Sequence, residues 1–230
     1  MARLNFFRSS IGLKAVMAVT GLFLFGFTVI HMLGNLQVFE APAAINRYAH
    51  VLQSNPILVW AVRILLLAAV LLHIDAAVRL TRRNRAARPQ PYAQIKPNGA
   101  TLASRTMFVG GLIVLVFIVF HIYHFTVMGG PFHEYATYKT DVPGVPDPVH
   151  DVHRMMVTAF SNAWIAGFYL IAVAFLGLHL NHGVAALFRS LGVGNRVSFP
   201  AQNWIARLFA WIVFLGMAAV PAAILTGVVK

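Results

Sequence analysis

Five stretches of this chain, at 12–34, 57–80, 106–128, 160–188 and 204–229, are each long and apolar enough to cross a bilayer. That constrains the fold more than any other feature, because a crossing helix needs about 20 mostly apolar residues. None of the five shows the period-two alternation of a barrel strand, and only helices and closed barrels satisfy every backbone group in lipid. The expected fold is all-α, a polytopic membrane bundle of five transmembrane helices in which residues 1–230 form a single domain. Composition agrees. Hydrophobic residues make up 59%, charged residues only 10%, and the mean hydropathy is +0.74; a soluble domain carries about a quarter charged residues. The first span follows basic residues, as a signal peptide would. Its length, its histidine and the lack of a small-residue cleavage site mark it as an anchor.

The net charge of +12 reads as a topology signal and a docking face, not as a nucleic-acid footprint. Arg3, Arg8 and Lys14 lie at the N-terminus. Arg79, Arg82, Arg83, Arg85, Arg88, Lys96 and Arg105 follow in the second connection, and Arg189, Arg196 and Arg207 in the fourth. The first and third connections hold few cations and most of the acids, Glu40, Glu134, Asp141, Asp147 and Asp151. This bias expects the N-terminus on the cytoplasmic side and the C-terminus outside. The proline-rich third connection is expected to be an irregular outer loop. With no cysteine in the chain, disulfides, iron–sulfur clusters, thiolate-held zinc and c-type haem are excluded.

Segments one and three can be written over each other without gaps, placing Gly21 on Gly111 and His31 on His121. Segments two and four align with His73 on His179 and Ala77 on Gly183. His31 and His121 fall near the outer ends of their helices; His73 and His179 lie deeper toward the inner side. At 1.5 Å rise per residue the two levels should be about 15 Å apart. Intramembrane histidines are costly unless they act. Bonding to neighbouring Ser, Thr or carbonyl groups, a transition-metal site and a proton path all use such residues. Paired neutral imidazoles on facing helices suit bis-His haem iron better, a six-coordinate centre that carries electrons and leaves no open position. Gly21, Gly26, Gly110, Gly111, Gly167 and Gly177 would let a flat macrocycle approach backbone, or simply let helices pack closely.

Ordered along the chain are Ser9-Ser10-Ile11-Gly12, His31-Met32-Leu33-Gly34-Asn35-Leu36, Ile45-Asn46-Arg47-Tyr48-Ala49 and Arg63-Ile64-Leu65-Leu66 leading to His73. Ser104-Arg105-Thr106-Met107, His121-Ile122-Tyr123 and His179-x-x-x-Gly183 follow. In this order and spacing the chain resembles the five-helix, di-haem cytochrome b membrane anchor of succinate:quinone and quinol:fumarate oxidoreductases. The resemblance implies two haem b groups, one on His31 and His121 (outer) and one on His73 and His179 (inner). His124 and His182, three residues beyond two of these, are the alternative ligands. It also implies quinone as substrate, with menaquinone favoured, and a role in the respiratory chain and the tricarboxylic acid cycle. Iron–sulfur and flavoprotein subunits would dock on the cytoplasmic face of a prokaryotic cell membrane, with a higher oligomer of the complex conceivable. Relatives of this kind that carry a glutamate two residues before the fourth-helix ligand differ here, where Gly177 stands.

Other polar residues extend this reading. Arg63, expected to be buried near the outer part of helix two, needs a partner such as a propionate or a quinone. Asn35, Gln37, Tyr48, His50 and Gln53 in the outer connection are placed to frame a quinone ring. Ser10 and Lys14 with Ser104 and Arg105 form an inner group suited to haem propionates or a second quinone, or to anionic lipid. Asp75 and Arg79 are spaced for a helical ion pair. His150-x-x-His153 between Asp147 and Asp151 has the residue types of a metal site but no evident helical frame. Pro221 should kink the last helix. Two other functions fit the same pattern less fully: the cytochrome b subunit of a nitrate reductase or hydrogenase, and a haem-free transporter or proton channel.

Overall fold

A computed structural model describes residues 9–87, 105–192 and 197–230; Arg3, Arg8, Arg88, Lys96, Ser104 and Arg196 lie outside the described residues. The chain is mostly helical, with five helices long and apolar enough to span a membrane. These are α1 (Ser10–Leu36), α3 (Pro56–Ala86), α4 (Met107–Ile122), α6 (Ala163–Ser190) and α7 (Phe199–Leu225). Two shorter helices, α2 (Pro42–Gln53) and α5 (Val152–Phe160), and a hairpin of β1 (Lys139–Thr140) with β2 (Val149–His150) fill two connections at one end. That end, reached by the last turns of α1 and α4, is the capped end; the opposite end is the basic end.

Local chemistry sets the boundaries. Ser9 caps α1 by accepting from the Gly12 amide at 3.0 Å, and Asn55 caps α3 by accepting from Leu58 at 3.0 Å. Pro42 and Pro56 occupy first-turn positions that need no amide donor. α3 runs six residues past the apolar window, through Arg82, Arg83 and Arg85, because a helix satisfies its own backbone whether or not its side chains are apolar. Residues 160–162 belong to no crossing helix: Phe160 ends α5, and Asn162 starts α6 by accepting from Trp164 and Ile165 at 3.0 and 3.3 Å. The third connection is accordingly more ordered than the sequence reading expected.

The bundle has a centre and two flanks. α6 packs along α7, and α1 packs against both; α3 lies on α1 and α4 lies on α6. Small residues allow the tightest of these approaches. Gly177, Ala185, Ala206 and Ala210 line the α6–α7 contact, and any side chain at Gly216 on α7 would run into Met32 of α1. Pro221 is buried within α7, which continues through it to Leu225. Most other apolar side chains face outward, as a lipid-facing surface requires, and only 6% of the most apolar window of α3 is buried. Trp60 and Trp164 near the capped end, and Trp204 near the basic end, are exposed where amphipathic rings mark membrane interfaces.

Asn46 pins the cap together. Its side-chain amide donates to Asp151 Oδ1 at 3.0 Å and its carbonyl accepts from the His153 amide at 3.0 Å, joining α2 to the first turn of α5. The same Asp151 oxygen accepts from the Arg154 amide, and Arg47 donates to the Pro143 carbonyl. Below this, Val38, Ile45, Met156, Phe160, Tyr169, Val220 and Ile224 form the largest buried cluster. Replacing Asn46 by leucine strands the buried His153 amide and leaves Asp151 Oδ1 with the Arg154 amide alone. A loss of about 2 kcal/mol is expected. It should read out as a lower unfolding temperature in detergent and faster hydrogen exchange at His153; unchanged values in both would show that the cap holds without this residue.

Candidate functional site

Two imidazole pairs meet inside the bundle. The rings of His31 on α1 and His121 on α4 have centroids 5.7 Å apart at 79°. Those of His73 on α3 and His179 on α6 lie 6.4 Å apart at 56°. Each pair joins helices that, among the described residues, make no extended contact with one another; α1 packs instead on α3, and α4 on α6. Each imidazole pair therefore links a central helix to the flanking helix that packs on the other side of the centre.

Glycine sets the inner level. A Cβ at Gly21 would lie 3.3 Å from His73 Cε1 and 3.7 Å from Nδ1; at Gly111 the same atoms of His179 would lie at 3.4 and 3.7 Å. The two halves of the sequence overlay thus build the same glycine–imidazole seat. Since His73 lies level with Gly21, and His31 is ten residues further along α1, the two pairs are about 15 Å apart in depth. The Gly111–His121 interval repeats that spacing.

The fit of a haem to these pairs can be tested on donors and space. An iron about 2 Å from each of two imidazole nitrogens separates the ring centres by about 6 Å, adding about 1 Å from nitrogen to centre on each side. Both observed pairs are close to that. No group of three or more His, Cys, Asp or Glu side chains able to hold a bare ion occurs among the described residues. Two axial donors per site suit an iron whose other four positions are filled by a macrocycle. A Cβ added at Gly26, Gly167 or Gly183 would meet no atom within 4 Å, so these glycines border open space instead of close helix contacts. Gly177 differs. It faces α7, where an added Cβ would make ordinary contact with Phe214 Cβ at 3.4 Å and the Ala210 carbonyl at 3.7 Å.

Two hydroxyls absent from the sequence-derived site complete it. Thr20 Oγ1 lies 3.1 Å from His73 Nδ1 and 2.7 Å from the Val16 carbonyl. Tyr169 Oη lies 3.3 Å from His121 Nδ1 and 2.9 Å from His124 Nδ1. Thr20 directly precedes Gly21, and Tyr169 is a phenol within the fourth apolar span, the only signals the sequence offers for them. His124 sits in a π-helical turn, Tyr123–Val127, and is fully buried against Phe125 and Phe132 at 4.1 and 4.3 Å. It is His121 that faces His31. Likewise His179 faces His73, while His182 is half-buried one turn on.

The remaining polar residues are scattered. Arg63 is exposed, not buried, and its guanidinium stacks 5.1 Å over Trp60; its side of α3 is turned away from the bundle. Asn35 donates to the His31 carbonyl of its own helix at 2.8 Å. Tyr48 packs its ring on Gly34, where a Cβ would come within 2.7 Å. Gln37 is half-buried at the end of α1. Ser10, Lys14 and Arg105 are exposed at the basic end. Asp75 and Arg79 form the expected pair at 2.9 Å, both exposed. His50 and Gln53 line a cavity of about 220 Å³ with Lys139, Asp147 and His150 at the capped end. His153 instead lies buried, so the two histidines of the 150–153 motif do not converge.

His150 donates from Nδ1 to the Tyr138 carbonyl at 3.2 Å, and its buried Nε2 has no protein partner. Burial holds its pKa below the usual 6.5, helped by Lys139 and opposed by the carbonyl bond and Asp151. Below pH 6.5 the opened hairpin therefore binds a proton that the closed one resists, and acid favours opening. Hydrogen exchange in β1–β2, corrected for intrinsic rates, should accelerate as pH falls below 6.5 and lose that dependence in His150→Gln. A flat wild-type profile would show that His150 does not control the hairpin.

No family model, curated protein or solved structure matches the chain, so its functional reading rests on these side chains.

Proposed function

We propose that the chain is the haem-bearing membrane anchor of a succinate:quinone or quinol:fumarate oxidoreductase, with His31 and His121 holding one haem b and His73 and His179 another. The observation that carries this is two facing imidazole pairs at two depths, the inner pair seated on Gly21 and Gly111. When bound, the haems supply one-electron carriers linking the two ends of the bundle. The chain itself supplies the axial nitrogens, and Gly21 and Gly111 set the depth of the inner pair. Ser10, Lys14 and Arg105 give the basic end groups for propionates or anionic lipid. The positive bias supports a cytoplasmic location for that end, and the resemblance supports a prokaryotic membrane with an iron–sulfur subunit and a flavoprotein docked there. A thiolate-held iron–sulfur cluster has no ligand in this cysteine-free chain, so a partner would carry it.

A second reading, a haem-free proton relay, draws on the hydrogen-bonded run His121–Tyr169–His124. A visible spectrum with pyridine haemochrome analysis separates the two. We expect two haems b per chain, with one lost on replacing His31 or His121 and the other on replacing His73 or His179. A colourless preparation, or a ratio near one with all four histidines intact, overturns the haem reading.

The quinone is assigned to the capped end, since an outer carrier about 15 Å beyond the inner one serves only an acceptor lying further out. Gln37 is the side chain there to test, with the outward-turned Arg63 as the control. Quinone turnover should collapse in Gln37→Leu and hold in Arg63→Leu while succinate oxidation with a soluble dye persists in both. Normal quinone kinetics in Gln37→Leu, with loss in Ser10→Ala, would move the site to the basic end.

A further inference from the structure

We infer that Thr20 and Tyr169 are positioning residues, each accepting a hydrogen bond from Nδ1–H of a histidine on the adjacent helix and so presenting that ring's Nε2 to iron. This rests on the haem reading above. The argument for Thr20 is one of counting protons. Its hydroxyl has a single proton, and the Val16 carbonyl one turn back, 2.7 Å away, takes it. Two oxygens that close need a proton between them. At 3.1 Å from His73 Nδ1, Thr20 then serves only as acceptor, so Nδ1 carries hydrogen and the lone pair of the neutral ring lies on Nε2.

Tyr169 stands between two imidazoles, and its phenol also has one proton. The shorter contact, 2.9 Å to His124 Nδ1, takes it, and the oxygen accepts from His121 Nδ1–H at 3.3 Å. His124 is thereby fixed with its hydrogen on Nε2, which is buried without a hydrogen-bond partner among aromatic rings. The opposite direction would protonate His121 Nε2, the nitrogen an iron must use. The arrangement also gives His124 a role: it is the acceptor that lets Tyr169 receive from His121.

The two pairs are alike in being held on one side only. His179 Nδ1 is buried with no partner, and in the repeat the position of Thr20 is taken by Gly110. Among the described residues, one imidazole of each pair meets a hydroxyl and its mate meets none.

An acceptor on Nδ1–H makes an imidazole a stronger donor and favours ferric iron. Redox titration of the purified complex, read separately for each haem, tests this. Thr20→Val should raise the midpoint of one haem and Tyr169→Phe that of the other. The expected change is about tenfold in the ferric-to-ferrous ratio at fixed potential, about 59 mV for one electron. Thr20→Ser should keep the wild-type value. Gly110→Ser, where a Cβ meets only Phe175 at 3.9 Å, should lower the midpoint of the haem that Thr20→Val raises. Two bound haems with unmoved midpoints in Thr20→Val and Tyr169→Phe overturn the assignment, as does equal loss of both haems in Thr20→Val and Thr20→Ser. A colourless wild type fails the haem reading itself and this inference with it, which distinguishes the two failures.

Discussion

A neutral imidazole inside an apolar bundle has two nitrogens to satisfy, and water is not there to do it. That requirement ties the interior of this protein together. His73 lies level with Gly21 and beside Thr20, fixing α3 on α1 in both depth and rotation. His121 and His124 share the Tyr169 hydroxyl, fixing α4 on α6. Lipid-facing surfaces give no hydrophobic preference for one helix pairing over another, so close packing and polar contacts of this kind set the register.

The overlay of segments one and two on three and four becomes a geometric relation. α1 with α3 and α4 with α6 present matching glycine–imidazole seats, the distances agreeing within 0.1 Å. Each half binds its imidazole to its own glycine, but the facing pairs cross between halves, His31 to His121 and His73 to His179. A single half therefore contains no complete site. The fifth helix has no counterpart in the repeat. It packs along α6 and α1 through small residues and closes the centre. Departures from symmetry are as informative as the symmetry: Thr20 faces Gly110 in the overlay, and a tyrosine on α6 serves the outer pair.

At the capped end, short elements do what a polar surface alone would not. α5 buries Met155, Met156, Ala159 and Phe160 over the ends of the crossing helices, and Asn46 holds it against α2 across more than a hundred residues of chain. The outer site framed by Asn35, Gln37, Tyr48, His50 and Gln53 is thereby divided. Asn35 is turned onto its own helix, Tyr48 packs on Gly34, and only His50 and Gln53 reach the cavity with Lys139, Asp147 and His150.

The amino-acid sequence by itself determined the five crossing helices, because apolar length and the backbone's need for internal hydrogen bonds are local properties. It also determined the facing histidines and the depth between them, since helical rise converts residue spacing directly into distance. What it left open depends on how each helix is turned about its axis. Arg63 is a cation within an apolar span in either case; only packing decides that it lies exposed over Trp60. His121 and His124 fall near one face of a regular helix, and a π turn beginning at Tyr123 separates their roles. Thr20 meets His73 across 53 residues and Tyr169 meets His121 across 48. No local pattern encodes such contacts, which the tertiary structure alone decides by bringing one helix face against another.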